Sequence, residues 1–178
     1  MEFKGSKTEK NLLASFAGES MARNRYTIYA EQARDQNCEH VSDILLETAH
    51  NEYAHAKRVL QFLDGIGTTE ENLGAAAQGE HEEWAVIYKQ AAQDAYEEGF
   101  KEIGDYFTEV AKIEKDHEER FLSLQKMLKD NTMFNGNSKT VWICRNCGHV
   151  YIGEQPPEVC DVCKFPRGYF ERKKESSK

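Results

Sequence analysis

The sequence predicts a mainly α-helical protein, in which a four-helix bundle is followed by a small metal-binding domain with four cysteine ligands. The first 138 residues are rich in Ala, Glu, Lys, Leu and Gln and contain no proline, a composition typical of long helices. Residues 139–178 instead contain short β-type runs, three prolines and four cysteines. We therefore predict two domains, residues 1–138 and residues 139–178.

Capping and stop signals predict four helices in the first domain. Ser6-Lys7-Thr8-Glu9 has the pattern of a capping box and opens a first helix that runs to about residue 37. The second helix is predicted over residues 40–64, with Gly65 and Gly67 as its stop. Residues 65–78 are too long for a tight turn and are expected to form a crossover connection. The third and fourth helices are predicted over residues 79–98 and 100–130.

Charge and hydropathy exclude several classes of function. The formal net charge is -8; residues 139–178 contribute +3, so residues 1–138 carry -11. Such an acidic body would repel phosphates, and we expect no nucleic-acid binding. No apolar run approaches the ~20 residues of a membrane span, and the N-terminus lacks the apolar segment of a secretory signal. We expect a cytoplasmic protein without a membrane partner.

Three Glu-x-x-His sequences occur, and helical periodicity distinguishes between them. Glu52 and His55 lie on the apolar face of the second helix, whose other members are Val41, Leu45, Thr48, Val59 and Phe62. Glu47 and His50 are rotated by more than ~100° from Glu52, because an α-helix turns by about 100° per residue. We predict that this second pair lies on the surface.

The other helices also place carboxylates on their apolar faces. In the fourth helix, Glu114 and His117 replace two members of an apolar seam formed by Phe100, Ile103, Phe107, Val110, Phe121, Leu124 and Leu128. The first helix places Glu19 on its apolar face, and the third places Glu80 and Glu83 on one face. Every predicted helix therefore carries at least one inward carboxylate.

Five inward carboxylates require a positive counter-charge. An unpaired carboxylate in a core costs several kcal/mol, and five would exceed the stability of an ordinary domain. Lys and Arg do not occupy the central seam positions, so metal cations are the expected counter-charge. Two Glu-x-x-His pairs with Glu from two further helices form the ligand set of di-iron or di-manganese bundles. The alternative is that each His bonds a neighbouring Glu while the other carboxylates face water.

The four C-terminal cysteines form two Cys-x-x-Cys pairs separated by twelve residues. Cys144, Cys147, Cys160 and Cys163 have the spacing of a tetrahedral site with four thiolate ligands. Both zinc and iron accept this ligand set, so the spacing alone leaves the metal open. Cys38 stands apart and is expected to play no part.

These motifs resemble the rubrerythrin family over nearly the whole chain. The resemblance is carried by Gly79-Glu80-His81-Glu82-Glu83-Trp84, by Glu114-Lys115-Asp116-His117-Glu118-Glu119-Arg120-Phe121 and by the two cysteine pairs. It implies a ferritin-like four-helix bundle with a carboxylate-bridged di-iron site. It also implies a rubredoxin-like domain in which four cysteines bind one iron, with zinc as the alternative. Asp161 stands where the family usually has proline, and its charge is expected to lower the reduction potential if it lies near the sulfurs.

The resemblance further implies roles for individual ligands. Glu52 and Glu114 would bridge the two irons. The remaining ligands would be Glu19 and Glu83 for one iron and Glu80 and His117 for the other. His55 would be an alternative ligand that exchanges with Glu83 on reduction.

Two tyrosines, Tyr26 and Tyr88, match tyrosines that lie beside the di-iron site in this family. From the sequence alone, the alternative that they are ordinary packing aromatics is equally acceptable. We include both among the candidate site residues.

The expected function is a peroxidase that reduces hydrogen peroxide to water in defence against oxidative stress. This reaction consumes two electrons, which a di-iron site can store, whereas a four-thiolate iron carries one electron at a time. The sequence contains no glycine motif for nucleotides. Electrons are therefore expected to come from NAD(P)H through an external rubredoxin or its reductase.

The resemblance also implies an oligomeric state, and two alternative functions stay open. The family pairs its bundles head to tail, which implies a homodimer, possibly a higher oligomer. One rival function is a ferritin-like ferroxidase that handles iron and carries a structural zinc ribbon. The other is an interaction protein whose zinc ribbon binds a partner.

Overall fold

The computed structural model describes residues 2–173, and most of them are helical. The helices are α1 (Lys7–Asp35), α2 (Glu39–Phe62), α3 (Thr69–Glu82), α4 (Tyr88–Glu97) and α5 (Lys101–Lys129), and a π-helical turn (Glu83–Ile87) joins α3 to α4. The prediction of a mainly α protein is confirmed. Among the residues described, no helix has both the length and the apolar character needed to cross a membrane.

The chain divides into two compact units, Met1–Thr68 and Thr69–Lys178. In the first unit α1 packs along α2, and we call this hairpin the first helical pair. In the second unit α5 packs against α3, the π turn and α4, and we call this hairpin the second helical pair. The domain boundary between residues 138 and 139 stays a prediction.

Small residues form the buried seam of each helical pair. In the first pair the buried residues are Ala30, Ala33, Ser42, Ala49 and Ala56. In the second pair they are Ala77, Ala92, Ala95 and Gly104. Small side chains let two helices approach closely. Among the described helical residues, however, no large apolar side chain is fully buried, so neither pair encloses a large-residue core of its own.

The helices begin and end with identifiable caps. Ser6 caps α1, because its Oγ accepts a hydrogen bond from the Glu9 backbone N–H at 3.1 Å, as the capping-box pattern predicts. α2 ends at Phe62, and Asp64 adopts a left-handed conformation with φ 53°. The following Gly65 N–H donates to the Leu60 carbonyl at 2.9 Å and closes a Schellman motif. The left-handed residue is therefore Asp64, not one of the two glycines proposed as the stop.

The connection between α2 and α3 is much shorter than predicted. The expected crossover over residues 65–78 is wrong, since α3 already begins at Thr69. Glu70 and Glu71 lie in its first turn, where negative charge stabilises the positive end of the helix dipole. The segment also contains no proline to prevent helix formation. Only residues 63–68 are left to connect the two helices.

The cysteine-containing part folds as a small three-stranded sheet. The strands β1 (Val141–Cys144), β2 (Val150–Ile152) and β3 (Phe170–Arg172) are antiparallel, in the order β2-β1-β3. Its core consists of Trp142, Cys144, Cys160 and Phe170. Trp142 is further fixed by its indole Nε1–H, which donates to the Gly153 carbonyl at 2.9 Å. Two of the four core residues are cysteines, so the core is built directly around the thiol cluster.

Candidate metal centres

The first helical pair holds a three-residue group, Glu19 on α1 with Glu52 and His55 on α2, which we call the first ligand group. Ligand atoms of these side chains all lie within 4.8 Å of one another. His55 Nδ1 is 3.0 Å from Glu52 Oε2 and 3.8 Å from Glu19 Oε2. The i,i+3 spacing on α2 places Glu52 and His55 on one face, as the sequence predicts.

The two carboxyls of the first ligand group compete for a proton. A hydrogen bond with Glu52 raises the pKa of Glu19, and burial and the charge of Glu52 act in the same direction. The same hydrogen bond lowers the pKa of Glu52, with help from His55. Adjacent carboxylates that resist simultaneous ionisation favour a shared cation, which would stabilise both charges.

The second helical pair holds an equivalent group, Glu80 on α3 with Glu114 and His117 on α5, which we call the second ligand group. These ligand atoms also lie within 4.8 Å of one another. His117 Nδ1 is 2.7 Å from Glu114 Oε2 and 3.7 Å from Glu80 Oε2. Burial raises the pKa of Glu80, and the charge of Glu114 raises it further. The two groups thus share the same composition and the same i,i+3 pair.

Both groups fit a divalent metal by their donor set. Each offers two carboxylates and one imidazole, which suit iron, manganese or zinc. The two negative charges of each group match one divalent cation. The side chains are not sealed from solvent, since the four glutamates retain between 15% and 29% of their accessible surface.

Glu83 and Tyr88 lie next to the second ligand group on the π turn and α4. Glu83 is half-buried on the π turn but is outside the group within 4.8 Å. Burial raises the pKa of Tyr88, and the charge and hydrogen bond of Glu83 act in the same direction. The Tyr88 ring also stacks on Phe107 at 5.7 Å. π-helical turns occur frequently at functional sites.

The cysteine pairs converge on one point. Cys144 Sγ is 3.7 Å from Cys163 Sγ, and Cys147 Sγ is 3.7 Å from Cys160 Sγ. Four sulfurs around a metal at about 2.3 Å form a tetrahedron with edges of about 3.8 Å. The sulfurs are also far beyond the length of a disulfide bond, about 2.05 Å. The geometry therefore fits a tetrahedral metal site with four thiolates.

The proton affinities of these thiols also indicate a cation. A hydrogen bond from the Asn146 side chain lowers the pKa of Cys163 to about 6, against the effect of burial. A hydrogen bond from the His149 backbone lowers the pKa of Cys147, but burial and the other thiols raise it to about 12. A bound metal would favour the thiolate form of the ligands, including Cys147, whose thiol is otherwise hard to deprotonate.

One cluster beside the second ligand group was not predicted. Trp84 Nε1–H donates to Glu118 Oε2 at 2.5 Å, and His81 Nδ1 lies 3.1 Å from Glu118 Oε1. The Trp84 hydrogen bond, followed by His81, lowers the pKa of Glu118. Glu118 follows His117 directly, so the cluster fixes α5 against α3 and the π turn next to a ligand. The i,i+3 spacing of His81 and Trp84 was the available signal, but it does not identify their partner on α5.

The remaining candidates occupy less specific positions. Tyr26 is half-buried on α1. Glu47 and His50 are exposed, as predicted for a surface pair, and Cys38 is exposed as well. Asp161 is exposed, and its carbonyl accepts a hydrogen bond from Lys164 Nζ at 2.9 Å. The ligand roles inferred from the sequence stay predictions.

Comparison with known families gives two matches along the chain. A sequence model described as rubrerythrin matches residues 10–125. A second one, described as the rubredoxin-like domain of rubrerythrin, matches residues 142–171. The first match alone covers more than half of the chain and includes both ligand groups, and the second includes all four clustered cysteines.

Individual relatives match over nearly their whole length. The rubrerythrin of Porphyromonas gingivalis is 45% identical over 181 residues, which cover 94% of this chain and 90% of the relative. The rubrerythrin of Nitratidesulfovibrio vulgaris is 43% identical over 181 residues, with 94% and 95% covered. A solved structure of nigerythrin in a mixed-valence state is 26% identical, covers 97% of this chain and 89% of that one, and has a TM-score of 0.36.

Proposed function

Because the chain belongs to the rubrerythrin family, we propose that it is a non-haem di-iron peroxidase that reduces hydrogen peroxide to water. Rubrerythrins are oxidoreductases, and this chain has both a ferritin-like and a rubredoxin-like part. The observation that carries the proposal is the presence of two Glu₂His groups and a four-cysteine cluster in one chain. Together they provide a site for two-electron chemistry and a site for one-electron transfer.

We propose that the two ligand groups and Glu83 bind one pair of irons. Glu52 and Glu114 would bridge the metals, as the family resemblance implies. The other ligands would be Glu19, Glu80, Glu83 and His117, with His55 as the exchangeable one. Five carboxylates against two divalent cations leave a net charge of about -1, a balance that the isolated carboxylates lack.

Two irons in this site would supply the two electrons that, with two protons, convert one hydrogen peroxide to two water molecules. The protein residues around the site have positioning roles. The Tyr88 hydroxyl donates to Glu83, and burial together with the charge of Glu83 raises the Tyr88 pKa further above its ordinary value of 10.0. The Trp84–Glu118 hydrogen bond fixes the backbone beside His117 and thereby the direction of the imidazole.

The four-cysteine site is proposed to bind one iron that carries electrons one at a time. Trp142, Tyr151 and Phe170 pack with the buried Cys144 and Cys160 and would limit the access of water on that side, whereas Cys147 is exposed. We expect the electrons to come from an external rubredoxin or its NAD(P)H-dependent reductase. The protein would act as a head-to-tail homodimer in defence against oxidative stress.

Stopped-flow mixing of the anaerobically reduced protein with hydrogen peroxide or oxygen tests this function. We expect peroxide to oxidise the protein much faster than oxygen does, with one peroxide consumed for every two electrons. Glu114→Ala should lower the peroxide rate by at least about 10²-fold, because it removes a bridging ligand. Cys38→Ser is the matched control and should leave the rate unchanged, since Cys38 is exposed and lies on the α1–α2 turn.

The same experiment distinguishes the iron-handling alternative. A ferroxidase with a structural zinc ribbon would react rapidly with oxygen and slowly with peroxide. Its purified four-cysteine site would contain zinc and lack the visible absorption of an iron–thiolate centre. Rapid reaction with oxygen and slow reaction with peroxide would refute the proposed peroxidase, whereas zinc in the four-cysteine site would refute only its proposed role as an electron carrier.

A further inference from the structure

We propose that Asn135 makes the segment between α5 and β1 a rigid joint, which holds the four-cysteine site in a fixed position relative to α5. Asn135 is then a positioning residue for electron transfer. This inference rests on the proposed electron-carrier role of the four-cysteine site and goes beyond it, since it assigns the placement of that site to a residue outside the ligand sets. All contacts that carry it lie within the second compact unit, Thr69–Lys178.

The composition of this segment alone is that of a flexible tether. Residues 131–140 read Asn-Thr-Met-Phe-Asn-Gly-Asn-Ser-Lys-Thr, and clusters of Asn, Gly, Ser and Thr are typical of loops. Loops of this kind move on the nanosecond to microsecond timescale, and a tether would leave the sheet free to reorient. The structure instead folds the segment through hydrogen bonds in two directions.

The segment is tied first to the end of α5. Asn131 is left-handed, with φ 53°. Its N–H donates to the Leu128 carbonyl at 3.1 Å, and the Thr132 N–H donates to the Met127 carbonyl at 2.8 Å, which is the pattern of a Schellman motif. The Asn135 N–H then donates to the Thr132 carbonyl at 3.0 Å, and its Nδ2 donates to the Asn131 carbonyl at 3.1 Å. The first half of the segment is therefore a turn closed against the helix end.

Asn135 is tied to the cysteine-containing part by its other two polar groups. Its Oδ1 accepts a hydrogen bond from Gln155 Nε2 at 2.9 Å, and its carbonyl accepts one from the Arg172 guanidinium on β3. Arg172 also lies over the Trp142 ring, 5.6 Å from its centroid, and so links Asn135 to the core of the sheet. All four polar groups of Asn135 are thus used, two towards the helix end and two towards the sheet.

The residues on either side of Asn135 support the same joint. Phe134 is half-buried and packs against the core cluster of the sheet. The Gly136 N–H donates to the Glu154 carbonyl at 2.6 Å. Three successive residues, 134–136, are therefore fixed to the cysteine-containing part before β1 begins. A rotation of the sheet relative to α5 has to break several of these contacts together.

The consequence of this joint is a fixed geometry for electron transfer. Catalytic steps depend strongly on placement, and a displacement of about 1 Å can cost about 10²-fold in rate. The hydrogen bonds of Asn135 are to Asn131, Thr132, Gln155 and Arg172, none of which is a proposed metal ligand. Its substitution should therefore disturb the placement of the four-cysteine site without changing the ligands of either metal centre.

Time-resolved fluorescence anisotropy of Trp142 tests the joint in the full-length chain. The measurement uses a Trp84→Phe background with zinc in the four-cysteine site, which suits four thiolates. Trp142 is 1% exposed and its indole N–H is hydrogen-bonded, so it reports motion of the sheet and not of its own ring. Relative to this background, Asn135→Gly should add a faster nanosecond component. It removes both side-chain hydrogen bonds and loosens the backbone.

Asn137→Gly is the matched control, because it introduces the same glycine two residues further along the segment. Asn137 is also exposed, and its Oδ1 accepts from the Lys139 N–H at 2.9 Å while its N–H donates to Thr140 Oγ1 at 2.7 Å. These bonds stay within the segment, so the anisotropy decay should match that of the background. Gln155→Ala removes one Asn135 bond from the sheet side and should add the fast component at lower amplitude. It replaces Asn135→Gly if that variant loses its zinc.

Single-turnover electron transfer supplies a second readout, in the iron-loaded protein with Trp84 retained. After the reduced protein is mixed with hydrogen peroxide, the visible absorption of the four-cysteine iron follows the loss of its electron. Asn135→Gly should slow this loss by at least about tenfold, with iron content and reduction potential unchanged. Asn137→Gly should keep the rate. A purely stabilising role of Asn135 would lower the free energy of unfolding and leave the rate as it is.

Two results would overturn the proposal. One is an identical anisotropy decay for Asn135→Gly and Asn137→Gly, and the other is an equal rate of electron loss in these two variants. The anisotropy is measured with zinc and without peroxide, so it does not depend on turnover. A protein that fails to reduce peroxide but shows the fast component only in Asn135→Gly would refute the proposed function and leave the joint standing.

Discussion

At the scale of single residues, the Glu-x-x-His pairs show why part of the site was predictable. An i,i+3 spacing fixes two side chains on one helix face, so Glu114 and His117 meet at 2.7 Å without help from tertiary structure. The contact between Glu80 and His117, at 3.7 Å, depends on the packing of α3 on α5. Periodicity could place Glu80 on an inward face but could not supply that distance. Local spacing therefore predicted the pairs better than it predicted the groups.

The pKa of the Asp105 carboxyl tests the electrostatics of the second helical pair. A hydrogen bond from Lys101 Nζ at 2.5 Å, then one from the Tyr96 hydroxyl at 3.0 Å, lowers the pKa of Asp105 below its ordinary value of 3.8. Lys101→Met should raise this pKa towards 3.8. A carboxyl with a lowered pKa adds stability that is complete above its ordinary pKa. That stability is lost as the pH falls through the lower, folded-state value.

NMR titration of the Asp105 carboxyl measures this shift. The stability difference between the wild type and Lys101→Met should accordingly shrink as the pH falls below 3.8. Lys112→Met is the matched control, because Lys112 pairs with Glu109 at 2.6 Å and should leave Asp105 unaffected. An unchanged Asp105 pKa in Lys101→Met would contradict the assignment.

At the scale of elements, helix existence was predictable and helix ends were less so. The capping box at Ser6 was confirmed because its signal is local in sequence. The predicted third helix begins at Gly79, because residues 65–78 are assigned to a crossover connection, whereas α3 begins at Thr69. Gly74 and Gly79 are in fact helical. A helix tolerates an isolated glycine at a cost of about 1 kcal/mol, and tertiary packing of α3 on α5 outweighs that cost.

Two helical glycines should respond oppositely to the same substitution. A Cβ on Gly104 would lie 2.5 Å from Tyr96 Cε1 and 2.7 Å from Tyr96 Cδ1, so the ring would have to move away from Asp105. Overpacking costs about 1–3 kcal/mol, whereas the gain in helix propensity is about 1 kcal/mol. We expect Gly104→Ala to lower the free energy of unfolding by about 1 kcal/mol. On Gly18 a Cβ meets nothing within 4 Å, and Gly18→Ala should raise that free energy by about 0.5–1 kcal/mol.

Urea unfolding of both variants, followed by circular dichroism at 222 nm, measures these changes. Adding Tyr96→Ala to Gly104→Ala should remove the steric penalty and reveal the propensity gain relative to Tyr96→Ala alone. If Gly104→Ala stabilises the protein as much as Gly18→Ala does, the contact between the Tyr96 ring and α5 does not limit the size of the residue at position 104.

At the scale of the whole molecule, composition and spacing predicted two different kinds of structure. The change from proline-free helical sequence to a segment with paired cysteines is visible without coordinates, because metal ligands and helix formers differ in residue type. The length of the α2–α3 connection was not predictable, because it depends on where α2 ends and α3 begins. An error of ten residues in one helix start therefore made the predicted connection, residues 65–78, much longer than the observed one, residues 63–68.

The metal should determine whether the cysteine-containing part folds. Among the described residues its hydrophobic core cluster has four members, two of them cysteines, and segments of about 40 residues rarely fold without a metal or disulfides. In a Trp84→Phe background, where Trp142 is the one remaining tryptophan, Cys160→Ser should shift the Trp142 emission to longer wavelength under reducing conditions. The helical circular dichroism should stay nearly unchanged, because α1 to α5 are packed through their own seams. Cys38→Ser should change neither signal. A buried Trp142 in the Cys160→Ser protein would show that the sheet folds without the metal and that the thiol cluster is not its principal source of stability.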